Sequence, residues 1–539
     1  MNLLTDSWLQ YRLIDGKEHS MPLAEALADP RVLDFALPRA DFHGAAYQFA
    51  IGVLQTVFAP DDRFQWQELY QTPPQREPLQ QAFAQISHAF ELEGEGPCFM
   101  QDFDALADVK PTPVSGLLID GPSENAIKQN TDHFVKRGLC NVLSPEMAAL
   151  ALFTLQVNAH EGGKGHRTSL RGGGPLTTLV LPQEDNAPLW QKLWLNVLDR
   201  EAFSYKDPDF HSPELFPWLG PTKISKGKGT EIYYHEVHPL AQYWAMPRRI
   251  RLAFENGRDV CGVALKQVNR FCRHYQTKPN GNNYSGPWYH PLSPYRFNPK
   301  KPQEDRVSFK GKPDSIQYKQ WYILLYADRD EGNIPAKVVS RYLDELSYDW
   351  GEVPRLWVFG YDMKSAKVCG WYSNEFPLLR LDLERRDLQL RTLKEMQELA
   401  NEVLKQCRSA IKIAWLGEPK RDNEKDNAKK SKKVKFDASQ VDLEFWQRTQ
   451  RAFFNMVSSL LTAEDELSPT AAKAWLQALR QAAQDIFDEL GLESLVPDRN
   501  MARKIRVRYK LTDWFVDSKP IKKFREAYGL DSLGKEENA

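Results

Sequence analysis

The chain changes character at "NEFPLL", residues 374–379, and this change constrains its fold more than any other feature. Beyond it, apolar residues recur at three and four spacing over about Leu388–Ala414, Val441–Leu461 and Pro469–Leu490, and again after Pro497. Such stripes are buried only when they face one another, so residues 384–539 are predicted to form an antiparallel four-helix bundle. Upstream, residues 1–383 mix short apolar runs with many Pro, Trp and Tyr and show no repeat period. The fold class expected is therefore α+β: a large irregular mixed N-terminal domain followed by the C-terminal four-helix bundle.

Within the first region, Trp8, Leu9 and Tyr11 followed by Asp15-Gly16 predict a hairpin, because Asp-Gly supplies the positive φ angles of a tight turn. "DFHGAAYQFAIGVLQTVFAP" and "LSPEMAALALFTLQVNA" read as two buried helices, the second capped by Ser144 ahead of Pro145. "WYILLYA" and "RLWVFGYDM" read as strands.

The length of 539 residues suggests roughly two to four packed units. Lys+Arg 71 against Asp+Glu 72 leaves a net charge of −1, so a polyanionic partner would have to be met by local basic patches. Six scattered cysteines without a Cys-x-x-Cys pair read as reduced thiols. The first residues carry no leader pattern, and no window approaches the roughly 18 apolar residues of a membrane span. The expectation is a cytoplasmic protein without a membrane partner.

"NAHEGGKGHRTSLRGGGPLTTLV", residues 158–180, sets six glycines among Lys164, His166, Arg167 and Arg171, ahead of a Thr-rich apolar run that reads as a strand. Glycine at this density loses much backbone freedom on ordering, which points to a use for exposed main chain. Lys164 is followed by Gly165 where a P-loop needs Ser or Thr, and a helix precedes the stretch where a dinucleotide fingerprint needs a strand. What survives is a basic loop whose main chain can approach a ligand.

Two further basic segments are "EPKRDNEKDNAKKSKKVK", within a mobile loop expected at about 418–437, and "RNMARKIRVRYK", a strand-like or helical face able to follow phosphates. "NGNNYSGPWYHPLSPYR" is either an aromatic platform for bases or a proline-stiffened loop packed on the core. Cys261, Cys272 and His274 lack paired-ligand spacing for zinc. Asp132, His133, His160, Glu161 and His166 could suggest a nuclease cluster, but no two of them sit at a helical ligand spacing.

Taken in order, "NLLTDSW", "LPRADFHGAAYQFAIGVLQTVFAP", "EGGKGHRTSLRGGGPLTTLV", "AMPRRIRL", "YSGPWYHPLSPY" and "VFGYDMKSAKVCGWY" resemble one family: CasA, the large subunit of the type I-E CRISPR surveillance complex Cascade. The resemblance spans most of the chain. It implies a non-catalytic, cofactor-free DNA-recognition subunit that reads the protospacer-adjacent motif (PAM) through the minor groove and helps start duplex opening and R-loop formation. The implied partners are the crRNA-bearing Cascade subunits (backbone, 5'-handle and small subunits), double-stranded target DNA with its displaced strand, and a recruited helicase-nuclease.

By that resemblance the glycine loop at Gly162, Gly163, Lys164 and Gly165 lies against the PAM, and Lys278 enters the same groove. A hairpin tip at Met363, Lys364 and Ser365 acts as a strand-separating wedge, and a first loop contacts the PAM-proximal region and the crRNA end through Asn130, Phe134 and Lys136. Basic residues of the bundle would hold the displaced strand. The paired cysteines of many relatives are missing here, so no structural zinc is expected. The competing readings are a metal-dependent DNA-processing enzyme using His133, His160 and Glu161, and a structural assembly subunit without sequence readout.

Overall fold

The computed structural model describes residues 1–121, 140–160, 165–203, 206–301, 304, 306–312, 316–328, 330–346, 353–364, 367–418, 436–492 and 500–530. They divide into one unit made of Met1–Ile316 with Ile323–Leu378, and a second made of Gln317–Tyr322 with the chain from Leu379 onward.

The first unit opens with the hairpin expected at Asp15-Gly16. Strand β1 (Leu9–Leu13) pairs antiparallel with β2 (Glu18–Met21) on one side and β3 (Val32–Phe35) on the other. Helix α1 (Ala40–Val57) is apolar around most of its circumference and is accordingly buried on nearly every side. Helix α2 (Pro145–Asn158) starts where its sequence predicts, with Ser144 Oγ accepting from Met147 N at 3.4 Å and Pro145 at the first position, where no N–H is missed. The two helices pack together. Phe49 of α1 stands among Trp8, Phe90, Phe99, Phe153 and Trp244, edge to face, with ring centroids 5.6–6.2 Å apart.

The Thr-rich run is strand β4 (Thr177–Leu181), buried at every position. Strands β5 (Arg249–Val260) and β6 (Gln267–Lys278) form a long antiparallel hairpin with Arg249 opposite Lys278. A second hairpin joins β7 (Arg355–Lys364) to β8 (Lys367–Pro377), with a register shift between Asp362 and Met363. The other edge of β7 pairs with β4, so β7 is the central strand of its sheet. "WYILLYA" is not a strand: residues 318–320 form a 3-10 turn and Trp321–Leu325 a short helix. All of Trp321–Tyr326 is buried, and a run apolar at every position carries no period that separates strand from helix.

In the second unit, α3 (Arg386–Leu416), α4 (Ser439–Thr462) and α5 (Pro469–Phe487) are followed by α6 (Met501–Asp517) and α7 (Lys519–Ala527). Helix α3 packs on each of the other four. The expected final helical region is thus two helices, broken at Ser518, with Pro520 in the first turn of α7. Tyr318, from the short segment that joins this unit, stacks on Phe453 at 4.3 Å and shares a hydrogen bond with Thr449 at 2.9 Å. The basic "RKIRVRYK" stretch is helical. Lys504, Val507 and Leu511 point inward, Lys504 over the Trp415 ring at 3.9 Å, while Arg506, Tyr509 and Lys510 face out.

One buried cation ties the first unit together. Arg171, 5% exposed, donates to Gln48 Oε1 of α1 (2.6 Å), Thr177 Oγ1 of β4 (3.1 Å) and Ser293 Oγ (3.0 Å). Its carbonyl accepts from Ser308 Oγ and from Lys310 Nζ. No carboxylate among the described residues pairs with it, and burial lowers its pKa to about 10. Replacing Arg171 with Met leaves several buried polar atoms unpaired, and we expect a loss of about 3 kcal/mol or more in the denaturant unfolding of the chain. The Lys variant also loses stability because an ammonium lacks the guanidinium fork. A loss below about 1 kcal/mol in the Met variant would contradict this assignment.

Candidate nucleic-acid interface

The chain leaves α2 at Asn158 and returns to β4 at Thr177, and the loop between them is closed at its base. Ser169 N donates to Ala159 O at 2.9 Å and Gly174 N to Asn158 O at 3.3 Å. Gly174 (φ +59°) lies against the hairpin: a Cβ there would stand 2.6 Å from Tyr361 O and 2.9 Å from Met363 Cγ. Only a residue without a Cβ permits that approach. A Cβ on Gly173 would stand 3.0 Å from His160 Cα and 3.5 Å from Met363 Sδ. The second glycine run therefore seats the end of β7.

The other side of the loop is laced to the turn that follows β6. Asn280 N donates to Gly165 O at 2.8 Å, Ser225 N to Asn280 O at 3.1 Å, and Arg167 forks onto Ser225 through Nε (2.8 Å) and Nη2 (2.7 Å). Gly165 (φ +87°) would place a Cβ 2.4 Å from Asn280 Oδ1. Lys278, two residues before Asn280, ends β6 and holds both oxygens of Asp108, at 2.7 and 2.9 Å. That ammonium is the main reason the Asp108 carboxyl lies below its ordinary pKa.

Of the residues assigned from sequence, Gly165 is joined to the turn after Lys278, and Met363 lies against Gly173 and Gly174 of the same loop, with Lys364 next to it at the end of β7. Gly162, Gly163, Lys164, Asn130, Phe134, Lys136 and Ser365 lie outside the described residues, as do Asp132, His133, Glu161 and the segment 419–435.

Three of the four basic side chains of the stretch do not face out as a ligand-binding set. Arg171 is the buried hub, Arg167 is half-buried on Ser225, and His166 is half-buried with its pKa lowered to about 4 by burial, then by Arg248 and His160. Arg248 donates to His160 O, and its buried Nε has no partner among the described residues; burial lowers its pKa to about 10. Sequence reasoning missed Arg248, Asp108 and Lys367. Lys367 is exposed directly opposite Lys364, a like-charge pair that disfavours the free tip and that an anion would relieve.

The aromatic segment resolves as packed loop. Trp288 and Tyr295 are 4% exposed, Trp288 Nε1 donates to Ser285 O, and Tyr289 is the ring left 39% exposed, under the Arg306 guanidinium. Cys261 Sγ accepts from Ser144 N and Ala264 N at 3.4 Å, and Cys272 Sγ contacts His274 O. Among the described residues, no group of three His, Cys, Asp or Glu side chains could hold a metal, and no helix is long and apolar enough to cross a membrane.

The family model of CRISPR-associated protein Cse1 matches residues 2–486. This chain belongs to the Cse1 family. Its fold is similar to Cse1 of Acidimicrobium ferrooxidans, with a TM-score of 0.68 at 15% identity, covering 98% of this chain and 99% of that one. It is also similar to CasA (Cse1) of Thermus thermophilus, with a TM-score of 0.63 at 15% identity over 95% and 99% of the two chains. A chain of a CRISPR RNA-guided surveillance complex gives a TM-score of 0.64 at 15% identity, again over 95% and 99%. The sequence resemblance to CasA and the expected α+β class with C-terminal helices are borne out. At this identity the structures speak for the Cse1 fold, and the roles of individual residues rest on the geometry above.

The depressed pKa of His166 has a defined sign. Between about pH 6.5 and pH 4 the unfolded chain binds a proton at this position that the folded Cse1 chain does not, so folding loses stability as pH falls through that window. We expect His166→Asn to lose less stability than the parent between pH 6.5 and 4 in parallel thermal melts. Equal losses would mean that His166 is not held neutral.

Proposed function

We propose that this Cse1 chain is the non-catalytic subunit with which a crRNA-guided surveillance complex reads the PAM, starts duplex opening, and presents the target to a recruited helicase-nuclease. One observation carries the reading: the turn after Lys278 and the Met363 end of the β7–β8 hairpin are both seated on a single glycine-rich loop, the first at Gly165 and the second at Gly173 and Gly174. Family membership, and the shared fold of a chain from a surveillance complex, support the same setting.

The chemistry suits a minor groove. That groove is only about 6 Å wide and presents acceptors on every pair, with a donor added where guanine stands. A glycine main chain can approach its floor where side chains cannot, and an ammonium such as Lys278 can meet its acceptors. Reading of this kind tolerates several related motifs. The adjacent tip, with Lys364 and Lys367 opposed, would sit where the strands part, and opening one step costs about a few kcal/mol that phosphate contacts help to offset. The bundle's outward Arg506 and Lys510 would add phosphate contacts to the displaced strand. The guide sequence is read by base pairing, outside this chain.

The test is binding of the reconstituted complex, with and without this chain, to duplexes that differ only in the PAM at one fixed salt concentration. We expect this chain to confer a difference of about 5- to 150-fold between accepted and rejected motifs, the range of about 1–3 kcal/mol per mismatched pair. An equal change for every motif would replace PAM reading with a purely structural role. Metal-dependent cleavage by the isolated chain would replace it with an enzyme.

A further inference from the structure

The β5–β6 hairpin sets two cations directly opposite each other, Arg249 and Lys278. Like charges in that arrangement destabilise a ladder. The loop from Asp102 to Asp108 supplies the compensation, and it treats the two cations differently. Arg249 is locked: 6% exposed at its side chain, it pairs with the fully buried Asp102 and, at 3.0 Å, with Asp104. Asp102 in turn accepts from Asp104 N at 2.9 Å. Lys278, 31% exposed, is held by Asp108 alone among the described carboxylates, and Asp108 is 73% exposed. The first pair is part of the packed interior, whereas the second lies in water, where an ion pair adds little to folding and exchanges readily with other anions.

We propose that Asp108 is a competing counterion that masks Lys278 from DNA. The proposal rests on the PAM-reading assignment of Lys278 made above. In the free chain the carboxylate occupies the ammonium through two hydrogen bonds, so Lys278 contributes little to binding phosphates at arbitrary sequence. When a duplex is seated, the ammonium leaves Asp108 for acceptors on the groove floor, and Asp108, already largely exposed, returns to water. Every duplex must displace the same carboxylate, so Asp108 sets the strength with which Lys278 can engage. Asp108 touches no reacting group in this account; it is a positioning residue acting through Lys278.

The consequences are specific. Asp108→Asn keeps the size and removes the charge. In the assembled complex it should tighten duplex binding about two- to five-fold, the range of an exposed ion pair. It should also make the slope of log K against log salt more negative, by up to about 0.9, because the positive charge that Lys278 brings to the duplex is no longer offset by its own carboxylate. Both changes should vanish in the Lys278→Ala background, which separates masking from a general loss of negative charge. A second readout needs no DNA: acetylation of Lys278 in the free chain, followed by peptide mass spectrometry, should be several-fold faster in Asp108→Asn.

If Lys278→Ala weakens duplex binding but Asp108→Asn leaves affinity, salt slope and acetylation unchanged, the masking role is wrong and the PAM-reading assignment stands. If Lys278→Ala does not weaken binding, that assignment fails and the masking role falls with it. A gain in Asp108→Asn that persists without Lys278 would also overturn the proposal, since it would come from charge alone.

Discussion

A buried guanidinium that pairs with no carboxylate among the described residues is the constraint on which the first unit turns. Arg171 remains charged inside the protein only because neutral acceptors from three separate stretches converge on it: Gln48 of α1, Thr177 of β4, and Ser293. Its own carbonyl is taken by Ser308 and Lys310, and the Lys310 amine is pushed down to about 8 by burial and then by Arg171 itself. A buried charge of this kind is costly unless neighbouring acceptors take up its donors. The glycine-rich loop is therefore anchored at its C-terminal end, against the strand β7 that carries the hairpin tip. The turn at Gly165 on one side of the loop is supported by a polar core on the other.

This division explains why a single stretch contains two runs of glycine. The second, at residues 172–174, serves packing: it admits Met363 and Tyr361 to within contact of the main chain. Gly165 serves a turn, held to Asn280 by a main-chain hydrogen bond. The same loop thus links the segment bearing Lys278 to the hairpin bearing Met363 and Lys364, and a duplex spanning the loop could be read at one edge and opened at the other.

Much of the fold was legible in the sequence because its signals are local. Asp15-Gly16 marks a hairpin, Ser144-Pro145 marks a helix start, and the stripes of α3, α4 and α5 are long enough to fix their period. The uniformly apolar "WYILLYA" carried no such signal and proved helical. At the interface, residue type alone was not enough: Arg171 and Arg167 give the loop its basic character in sequence, yet each is bound to neutral oxygens far away in sequence, at Gln48, Ser293 and Ser225. Asp108 gave no hint of its role, because its partner stands 170 residues further on. Composition reports that charge is present, and only the fold reports which charges are already spoken for.

In the proposed function, base identity is read from the minor groove beside the loop of Gly165. The most direct measurement replaces guanine with inosine at the PAM position where the complex distinguishes G·C from A·T. Inosine removes the 2-amino group from the minor groove and leaves the major-groove edge unchanged. We expect the complex to bind the I·C duplex as it binds A·T at that position. Binding that follows G·C instead would place the reading in the major groove and contradict it.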